Sequence, residues 1–206
     1  MSPPLPKPRF GPPSYPLRPV NGGPLPKALP KSGEWSLNGK YNGWRAWVHA
    51  PTRTMWNRQL EPLSITHEFT AALEILHRLP FEWVDVEALE RRHKIGQGTL
   101  VLLDAPAAGR TWYDRQYFIH AAAGLHGIPT HSEVNKPLAN DSVYLPMTWE
   151  TAAGPQLWTI LQQCNQALGC DFWEGLVAKR TDSLYPLQLR SPNQEFPYWV
   201  KHRWAF

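Results

Sequence analysis

The sequence predicts an α+β domain, in which strands and helices are interspersed without a regular strand-helix-strand alternation. Apolar residues recur at helical spacing in residues 66–79 and 156–168, and a third helix is expected over 113–125. Short β-branched and aromatic runs next to turn residues indicate strands around these helices. The chain has 206 residues, 42% of them hydrophobic, which suffices for one buried core and excludes wholesale disorder.

The N-terminal half of the folded region contains most of the predicted strands. Turn-prone pairs at Asn38-Gly39 and Asn42-Gly43 separate the first two of them. The helix over residues 66–79 ends at Pro80, because proline cannot continue a helix. The strands predicted in this half span residues 34–37, 44–49, 54–58 and 81–87.

In the C-terminal half of the chain, the order of predicted helices and strands is less clear. An apolar run over residues 99–103 is typical of a buried strand and ends at Asp104. Residues 127–142 are rich in turn formers and predict no regular element. Two further strands are expected over residues 175–178 and 198–203.

Residues 1–33 differ from the rest of the chain in charge and in proline content. They hold five lysines and arginines, no acid and 11 of the 22 prolines, whereas the other residues carry 16 basic and 17 acidic side chains. Because proline donates no backbone hydrogen bond, we predict an extended or disordered arm, with the folded domain over residues 34–206. Such a basic arm either follows a phosphate backbone or is a solvated tail.

The composition also predicts the cellular compartment of the protein. No segment approaches the roughly 18 uninterrupted apolar residues of a membrane-spanning helix, so we expect no integral membrane protein. Residues 1–10 lack the apolar core of a secretory signal, and two cysteines cannot staple a chain of this size. We therefore expect a cytoplasmic protein. Most of the 11 tryptophans are expected in a core or an interface.

Charged residues recur in short patterns close to the predicted strands. The first pattern is Lys40-Tyr41-Asn42-Gly43-Trp44-Arg45, in which glycine lets the backbone pass close to a ligand. The others, in chain order, are Asn57-Arg58-Gln59, Asp85-Val86-Glu87 and residues 100–104, 174–179 and 199–203. Each pattern is weak alone, and an ordinary surface or ion-paired role is the alternative for each charge. Glu174 lies in apolar surroundings, where an unpaired carboxylate is costly, and this favours a functional role.

Taken in order, these patterns resemble the motifs of the covalent nucleotidyltransferases, which include ATP-dependent DNA ligases, RNA ligases and mRNA capping enzymes. Residues 40–45 are similar to the Lys-Tyr-Asp-Gly-x-Arg motif of DNA ligases, and residues 174–179 are similar to the Glu-Gly-x-x-x-Lys motif. Residues 179–185 keep the Lys-x-x-Asp-Ser-x-Tyr spacing of the DNA ligase branch. The resemblance spans residues 34–204 and implies two mainly antiparallel sheets with flanking helices that enclose a nucleotide cleft.

The resemblance also implies a reaction. In this family a lysine amine attacks the α-phosphorus of ATP, forms lysyl-AMP and expels pyrophosphate. The AMP then passes to a 5′-phosphate strand end, and a 3′-hydroxyl displaces it and seals the nick. Lys40 is the implied nucleophile, with Glu174 and Lys201 as further catalytic residues. Attack requires an unprotonated amine, which nearby positive charge favours.

The implied cofactors are ATP and Mg²⁺, with Glu87 and Glu174 as oxygen ligands of the metal. Arginine suits phosphate binding because its guanidinium engages two oxygens at once. Residues implied in binding the nucleotide or its phosphates are Arg45, Arg58, Glu87, Lys179 and Arg203. The implied partner is nicked or broken nucleic acid, with DNA preferred.

Several positions depart from the family pattern. Asn42 replaces the usual aspartate, Asn38 stands where an acid often lies near the adenine, and Leu103 replaces an aromatic residue that stacks on the base. After Arg203 too few residues remain for the OB barrel that normally follows. We therefore expect no C-terminal OB barrel: a second protein supplies one, or the domain works alone, or it has lost the reaction. If the basic arm grips DNA instead, deleting residues 1–32 will weaken binding to nicked DNA and flatten its salt dependence.

The leading hypothesis is an ATP-dependent DNA ligase-type nucleotidyltransferase. Asn42 and the missing barrel suggest an RNA ligase as the nearest alternative, whereas residues 40–45 and 179–185 favour the DNA branch. A catalytically inactive nucleic-acid-binding protein with the same fold is an alternative of a different class. The joint presence of the charged motif residues argues against it, since a binding platform does not need them; they are Lys40, Glu87, Glu174, Lys179 and Lys201.

Overall fold

A computed structural model describes residues 11–25, 34–89, 94–186, 189 and 191–204 of the chain. The strands are β1 Arg18–Asn21, β2 Trp35–Tyr41, β3 Trp44–His49, β4 Thr54–Trp56, β5 Trp83–Leu89, β6 Thr99–Asp104, β7 Thr130–His131, β8 Val143–Pro146, β9 Thr148–Glu150, β10 Trp173–Arg180 and β11 Glu195–Arg203. The α-helices are α1 Thr70–His77, α2 Trp112–Leu125 and α3 Gly154–Leu168. Short 3₁₀ helices precede two of them, at Ser64–Phe69 and Thr151–Ala153.

The strands form two sheets. The five-stranded sheet has the order β1-β11-β10-β2-β9, and the six-stranded sheet has the order β4-β3-β5-β6-β8-β7. Neighbouring strands are antiparallel except in the pairs β1/β11, β6/β8 and β7/β8. The predicted α+β class with two mainly antiparallel sheets is therefore confirmed, and the described residues contain no separate barrel.

The connection between β2 and β3 differs from the local pattern. Strand β2 continues through Asn38-Gly39, so that pair is not a turn, and β2 pairs with β9 and β10 instead of β3. Gly39 is required there because a Cβ would lie 2.5 Å from the ring of Trp173. The tight turn at Asn42-Gly43 then carries the chain from the five-stranded to the six-stranded sheet. Both sheets consequently come together next to Lys40.

The helices match the predicted segments, and each begins or ends for a local reason. The segment predicted as one helix over 66–79 is a 3₁₀ turn followed by α1, because Phe69 leaves the helical region at φ −113° and ψ 20°. At the start of α2, Thr111 and Asp114 form a capping box. Helix α3 ends at Gly169, whose φ of 65° is the left-handed conformation that glycine accepts readily.

Three buried clusters hold the layers together. One lies between the six-stranded sheet and helices α1 and α2, and another between the five-stranded sheet and α3. The third joins the two sheets; its buried members are Leu17, Trp47, Trp83, Trp112, Tyr185, Leu189, Phe196 and Trp199. Most of the 11 tryptophans pack in these clusters, as predicted: five are buried and five more are half-buried against the clusters. The buried ones are Trp47, Trp83, Trp112, Trp173 and Trp199. Among the described helices, none is long and apolar enough to cross a membrane.

Part of the N-terminal segment belongs to the folded domain, which corrects the boundary predicted near Gly33. Strand β1 pairs in parallel with β11, and Leu17 is fully buried in the aromatic cluster. Proline tolerates this position because β1 is an edge strand of the sheet. The rest of the predicted arm, residues 1–10 and 26–33, lies outside the described residues.

Candidate active site

A cleft of about 650 Å³ lies where the two sheets meet. Both sheets contribute to its walls, with Lys40 on β2 and Glu87 on β5 as examples. All eight of the predicted site residues line it: Lys40, Arg45, Arg58, Glu87, Glu174, Lys179, Lys201 and Arg203. The structure therefore brings together residues that are as far as 163 positions apart in the chain.

Lys40 lies at the end of β2 and points into the cleft. Its Nζ atom is 2.5 Å from Oε2 of Glu174, and the side chains are only 17% and 5% exposed. Nη2 of Arg203 lies 2.9 Å from the same oxygen. Two cations thus share one buried carboxylate, which fixes the position of the amine relative to β10 and β11.

The two strands that carry Glu174 and Arg203 approach each other closely at Gly175. This residue has a φ of 143°, and a Cβ would lie 1.9 Å from the backbone oxygen of His202. Any other residue would push β10 and β11 apart and would move Glu174 away from Lys40.

Glu87 is held by the turn that follows Lys40. The backbone N–H of Gly43 donates to Oε1 of Glu87 at 3.0 Å. A Cβ on Gly43 would lie 2.8 Å from Cγ of Glu87 and 2.5 Å from the backbone oxygen of Ala88, so only glycine permits this contact. Burial raises the pKa of Glu87, and the positive charges of Lys40 and Arg45 oppose that increase.

Asn42 secures the same turn from the other side. Its Nδ2 donates to the backbone oxygen of Asp171 at 2.8 Å, and its backbone N–H donates to the oxygen of Phe172 at 2.9 Å. An aspartate side chain has no N–H to donate, so asparagine suits this contact. The bonds connect the turn after Lys40 to the segment that leads into Glu174.

Among the residues predicted to bind phosphate, Arg45 has the most extensive contacts with other groups of the protein. Its guanidinium forms a two-point ion pair with Asp85 and donates to the backbone oxygen of Leu17. Asp85 is buried, and burial raises its pKa while the Arg45 charge lowers it. Arg45 therefore ties β3, β5 and the N-terminal segment together, and phosphate binding by this arginine stays a prediction.

Lys179 is buried beneath the cleft. Its Nζ lies 4.4 Å from the centre of the Trp199 ring and 5.6 Å from that of Trp112. Burial lowers the pKa of Lys179 to about 8, while the charge of nearby Asp104 acts in the opposite direction. Asp104 is itself buried and forms a two-point ion pair with Arg115, at 2.8 and 2.9 Å.

Arg58 and Lys201 have fewer contacts than the other cations of the cleft. Arg58 is exposed after β4, and Lys201 is half-buried on β11. In the described parts of the chain, no carboxylate lies within ion-pair distance of either side chain. Burial lowers the pKa of Lys201, with further contributions from the neighbouring charges of Arg203, Arg18 and Lys40.

The two residues predicted to bind Mg²⁺ lie near each other. The charge of Glu174 contributes to the raised pKa of Glu87, although burial is the larger cause. Among the described residues, no group of three or more His, Cys, Asp or Glu side chains could hold a metal. Mg²⁺ commonly uses only one or two carboxylates and completes its shell with water and substrate phosphates. The two glutamates fit a site of that kind.

Arg18 lines the cleft but had no predicted role, because it lies in the segment predicted to precede the domain. Asp85, which pairs with the cleft residue Arg45, belongs to the Asp85-Val86-Glu87 pattern, so the sequence offered a signal for it. Asn38 is buried, and its Nδ2 donates to the backbone oxygen of Met147 and to Oγ1 of Thr148. Its Oδ1 has no hydrogen-bond partner within the described residues and is left as an acceptor.

No protein-family model matches the sequence, and no curated protein matches it. Solved structures do match. A Lig E DNA ligase aligns with a TM-score of 0.59 and 12% identity over 91% of this chain and 68% of that chain. Mycobacterial DNA ligase D complexed with ATP and MES aligns with a TM-score of 0.56 and 18% identity over 91% of this chain and 60% of that chain.

The Chlorella virus DNA ligase-adenylate is a third match, with a TM-score of 0.56 and 12% identity over 91% of this chain and 67% of that chain. The chain thus spans about 60–68% of these three solved structures. Together with the two sheets and the cleft between them, these alignments show that the chain has the fold of the adenylation domain of ATP-dependent DNA ligases.

Proposed function

We propose that the chain is an ATP-dependent DNA ligase-type nucleotidyltransferase with Lys40 as its nucleophile. The observation that carries the proposal is the position of the Lys40 amine, which lies inside the cleft and 2.5 Å from the Glu174 carboxylate. An ordinary surface lysine is not expected to share a buried carboxylate with Arg203 where two sheets meet.

In the first step, Nζ of Lys40 forms a bond to the α-phosphorus of ATP. The bond from that phosphorus to the oxygen bridging to the β-phosphate breaks, and its electron pair leaves with pyrophosphate. The ammonium must first lose one proton, which Oε2 of Glu174 is placed to receive, and a second proton leaves the nitrogen for water as the N–P bond forms. The product is a lysyl-AMP phosphoramidate.

The charges around Lys40 suit this step. Lys201 and Arg203 lie on β11, next to the strand that carries Glu174, and can stabilise negative charge on the phosphate oxygens. Mg²⁺ held by Glu87 and Glu174 would neutralise further charge on the same oxygens. Exposed Arg58 is available for a second phosphate, such as the 5′ end of a strand.

Asn38 supports adenine as the base. Because its Nδ2 is already used, Oδ1 remains to accept a hydrogen bond from a ligand. The exocyclic amine of adenine donates, whereas guanine offers a carbonyl oxygen at the equivalent position, so the site favours ATP over GTP. Leu103 lines the cleft and offers apolar contact in place of an aromatic ring.

In the later steps the AMP moves to a 5′-phosphate end, and the 3′-hydroxyl of the adjoining strand displaces it. DNA is the preferred substrate because the matched structures are DNA ligases. An OB-type domain from a second protein is one of the alternatives that the sequence left open, beside a domain that works alone. Sealing by the purified chain alone would show that no such partner is required.

The test is covalent labelling with α-labelled ATP and Mg²⁺. We expect label that survives denaturation in the wild type, disappears in Lys40→Ala and persists in Lys136→Ala, a lysine paired with Glu133 on the exposed surface. α-Labelled GTP should label much less. Transfer of the label to nicked DNA or to nicked RNA then distinguishes a DNA ligase from an RNA ligase. Absence of wild-type label with every nucleotide and metal tried would contradict the proposal and favour an inactive nucleic-acid-binding protein.

A further inference from the structure

The N-terminal segment forms one wall of the cleft. Pro16, Arg18 and Pro19 line the cavity, and β1 adds to the free edge of β11. Beyond β1, the backbone N–H of Gly22 donates to the oxygen of Lys201 at 2.9 Å. This segment is therefore a built part of the site and not a tail that passes beside it.

Two contacts hold the segment in register with the catalytic strands. Arg45 donates to the backbone oxygen of Leu17, and the Leu17 side chain is fully buried. Nδ1 of His202 lies 2.9 Å from the backbone oxygen of Gly23. The segment is thus anchored on both sides of Arg18, which fixes the backbone position of this residue at the cleft.

Arg18 brings a positive charge to this wall, and Glu195, which lies opposite it in the β1/β11 register, forms no ion pair with it. Its Nη1 lies 3.3 Å from the backbone oxygen and from Oδ1 of Asn193, which are long, exposed hydrogen bonds. Within the described residues, no carboxylate forms an ion pair with Arg18. The charge of Arg18 contributes to the lowered pKa of Lys201, so the two cations lie within electrostatic reach of each other.

Three of the other cations of the cleft are paired with buried carboxylates, whereas Arg58 and Lys179 form no ion pair among the described residues. Lys40 and Arg203 share Glu174, and Arg45 is paired with Asp85. Arg18 and Lys201 also lack an ion pair among the described residues, and their like charges repel each other, which an anion bound at both side chains would relieve. An arginine fork beside a lysine suits an anion with several oxygens and more than one charge, such as a polyphosphate.

The sheet places Arg18 and Lys201 at a distance from Lys40 that a triphosphate can span. Strand β11 lies two strands from β2, which corresponds to roughly 10 Å between the backbones that carry Lys201 and Lys40. Long side chains and a triphosphate together span that gap. With the α-phosphorus at Lys40, a triphosphate that extends toward β11 and β1 would reach Lys201 and Arg18, which both line the cleft.

We propose that Arg18, together with Lys201, binds the β- and γ-phosphates of the nucleotide and the pyrophosphate released from it. This inference rests on the proposed function for the identity of the ligand. It assigns to the N-terminal segment a role in the nucleotide site, where the sequence left a grip on DNA and a solvated tail as the alternatives.

The structure also determines which variants are informative. Deleting residues 1–32 would remove β1 and expose the pocket filled by Leu17, so a loss of binding would not report on charge. Arg18→Ala leaves Leu17 and the backbone pairing of β1 in place. Arg18→Lys keeps the charge but loses the planar fork, and Arg78→Ala removes an exposed arginine that does not line the cleft.

The first measurement is binding of tripolyphosphate, AMP and an ATP analogue with a non-cleavable α,β-bridge to the full-length chain. We expect Arg18→Ala to weaken binding of tripolyphosphate and of the analogue about tenfold, as for loss of a charge-assisted contact, while AMP affinity changes less than twofold. Arg18→Lys should lie between the wild type and Arg18→Ala, and Arg78→Ala should match the wild type. Equal affinities for tripolyphosphate in the wild type and Arg18→Ala would overturn the inference.

The second measurement is the reverse reaction, in which pyrophosphate removes AMP from labelled protein. Arg18→Ala should require about tenfold more pyrophosphate for half-removal of the label. Weakened binding of nicked DNA with unchanged tripolyphosphate binding would overturn the inference in favour of a strand phosphate. If the wild type takes no label but binds tripolyphosphate through Arg18, the proposed function fails and the anion site stands.

Discussion

Two sets of charged residues meet in this cleft, and they differ in burial and in pairing. Below the cleft, buried carboxylates of the six-stranded sheet form two-point ion pairs, as in Asp104–Arg115 and Asp85–Arg45. On the five-stranded sheet, Arg18 and Lys201 are half-buried and have no acid partner among the described residues. Buried charges must be paired to be tolerated, so the first set supports the architecture, whereas the second set is free to bind an anion.

The largest effect should come from breaking a buried pair. Asp104→Asn leaves the guanidinium of Arg115 buried without its counter-charge, which should lower the free energy of unfolding by about 3–5 kcal/mol. Asp182→Asn is the matched control, since Asp182 forms a similar two-point pair with Arg180 in an exposed position. It should cause no measurable loss, because water solvates the remaining charge. Urea unfolding curves compare the two, and equal losses would contradict the distinction between buried and exposed pairs.

An intermediate effect should come from Lys179, which belongs to the buried set but has a pKa lowered to about 8 from an ordinary value of 10.5. Between these two values the unfolded chain holds the proton and the folded chain does not, so stability rises with pH in that window and the penalty is full below pH 8. In Lys179→Met this contribution is absent. The difference in unfolding free energy, wild type minus variant, should therefore increase by about 1–3 kcal/mol from pH 8 to 10. A difference that is constant over this range would contradict a desolvated Lys179.

The smallest effect on stability should come from the second set, the unpaired cations Arg18 and Lys201. Lys201→Met removes a half-buried charge that repels its neighbours, so the free energy of unfolding should change by less than about 0.5 kcal/mol. Binding of the non-cleavable ATP analogue should nevertheless weaken, with a reduced dependence on salt, because one cation no longer contacts phosphate. Titrations at several salt concentrations, with Lys136→Met as the control, measure this. Unchanged affinity and unchanged salt dependence would place Lys201 outside the anion site.

Local sequence patterns predicted the main elements well. Helices α2 and α3 and the strands of the central sheets follow from apolar spacing and turn residues, which act over a few positions. Short strands such as β8 and β9 were not predicted, because a three- or four-residue strand forms through its neighbours and not through its own pattern. Strand β1 was not predicted for the same reason, since its proline-rich sequence becomes a strand only against the edge of β11.

Residues of the site were predictable where a motif carried them. Lys40, Glu87 and Glu174 lie in patterns whose order along the chain is informative, and the structure places all three in one cleft. The patterns did not indicate which side chains pair with one another. That Arg45 is bound to Asp85, or that Oδ1 of Asn38 is left without a partner, depends on side chains brought together by two sheets.

The sequence by itself determined the elements that local chemistry controls: the helices, the glycine turn after Lys40, and the types of charged residue available for phosphate chemistry. Only the tertiary structure decided which of those charges are neutralised and which remain open. The reason is physical, because burial and pairing depend on strands distant in the chain, and the same arginine that is structural beside Asp85 would bind a ligand without it. Arg18 shows this most clearly, since its role follows from the edge of the sheet that it joins.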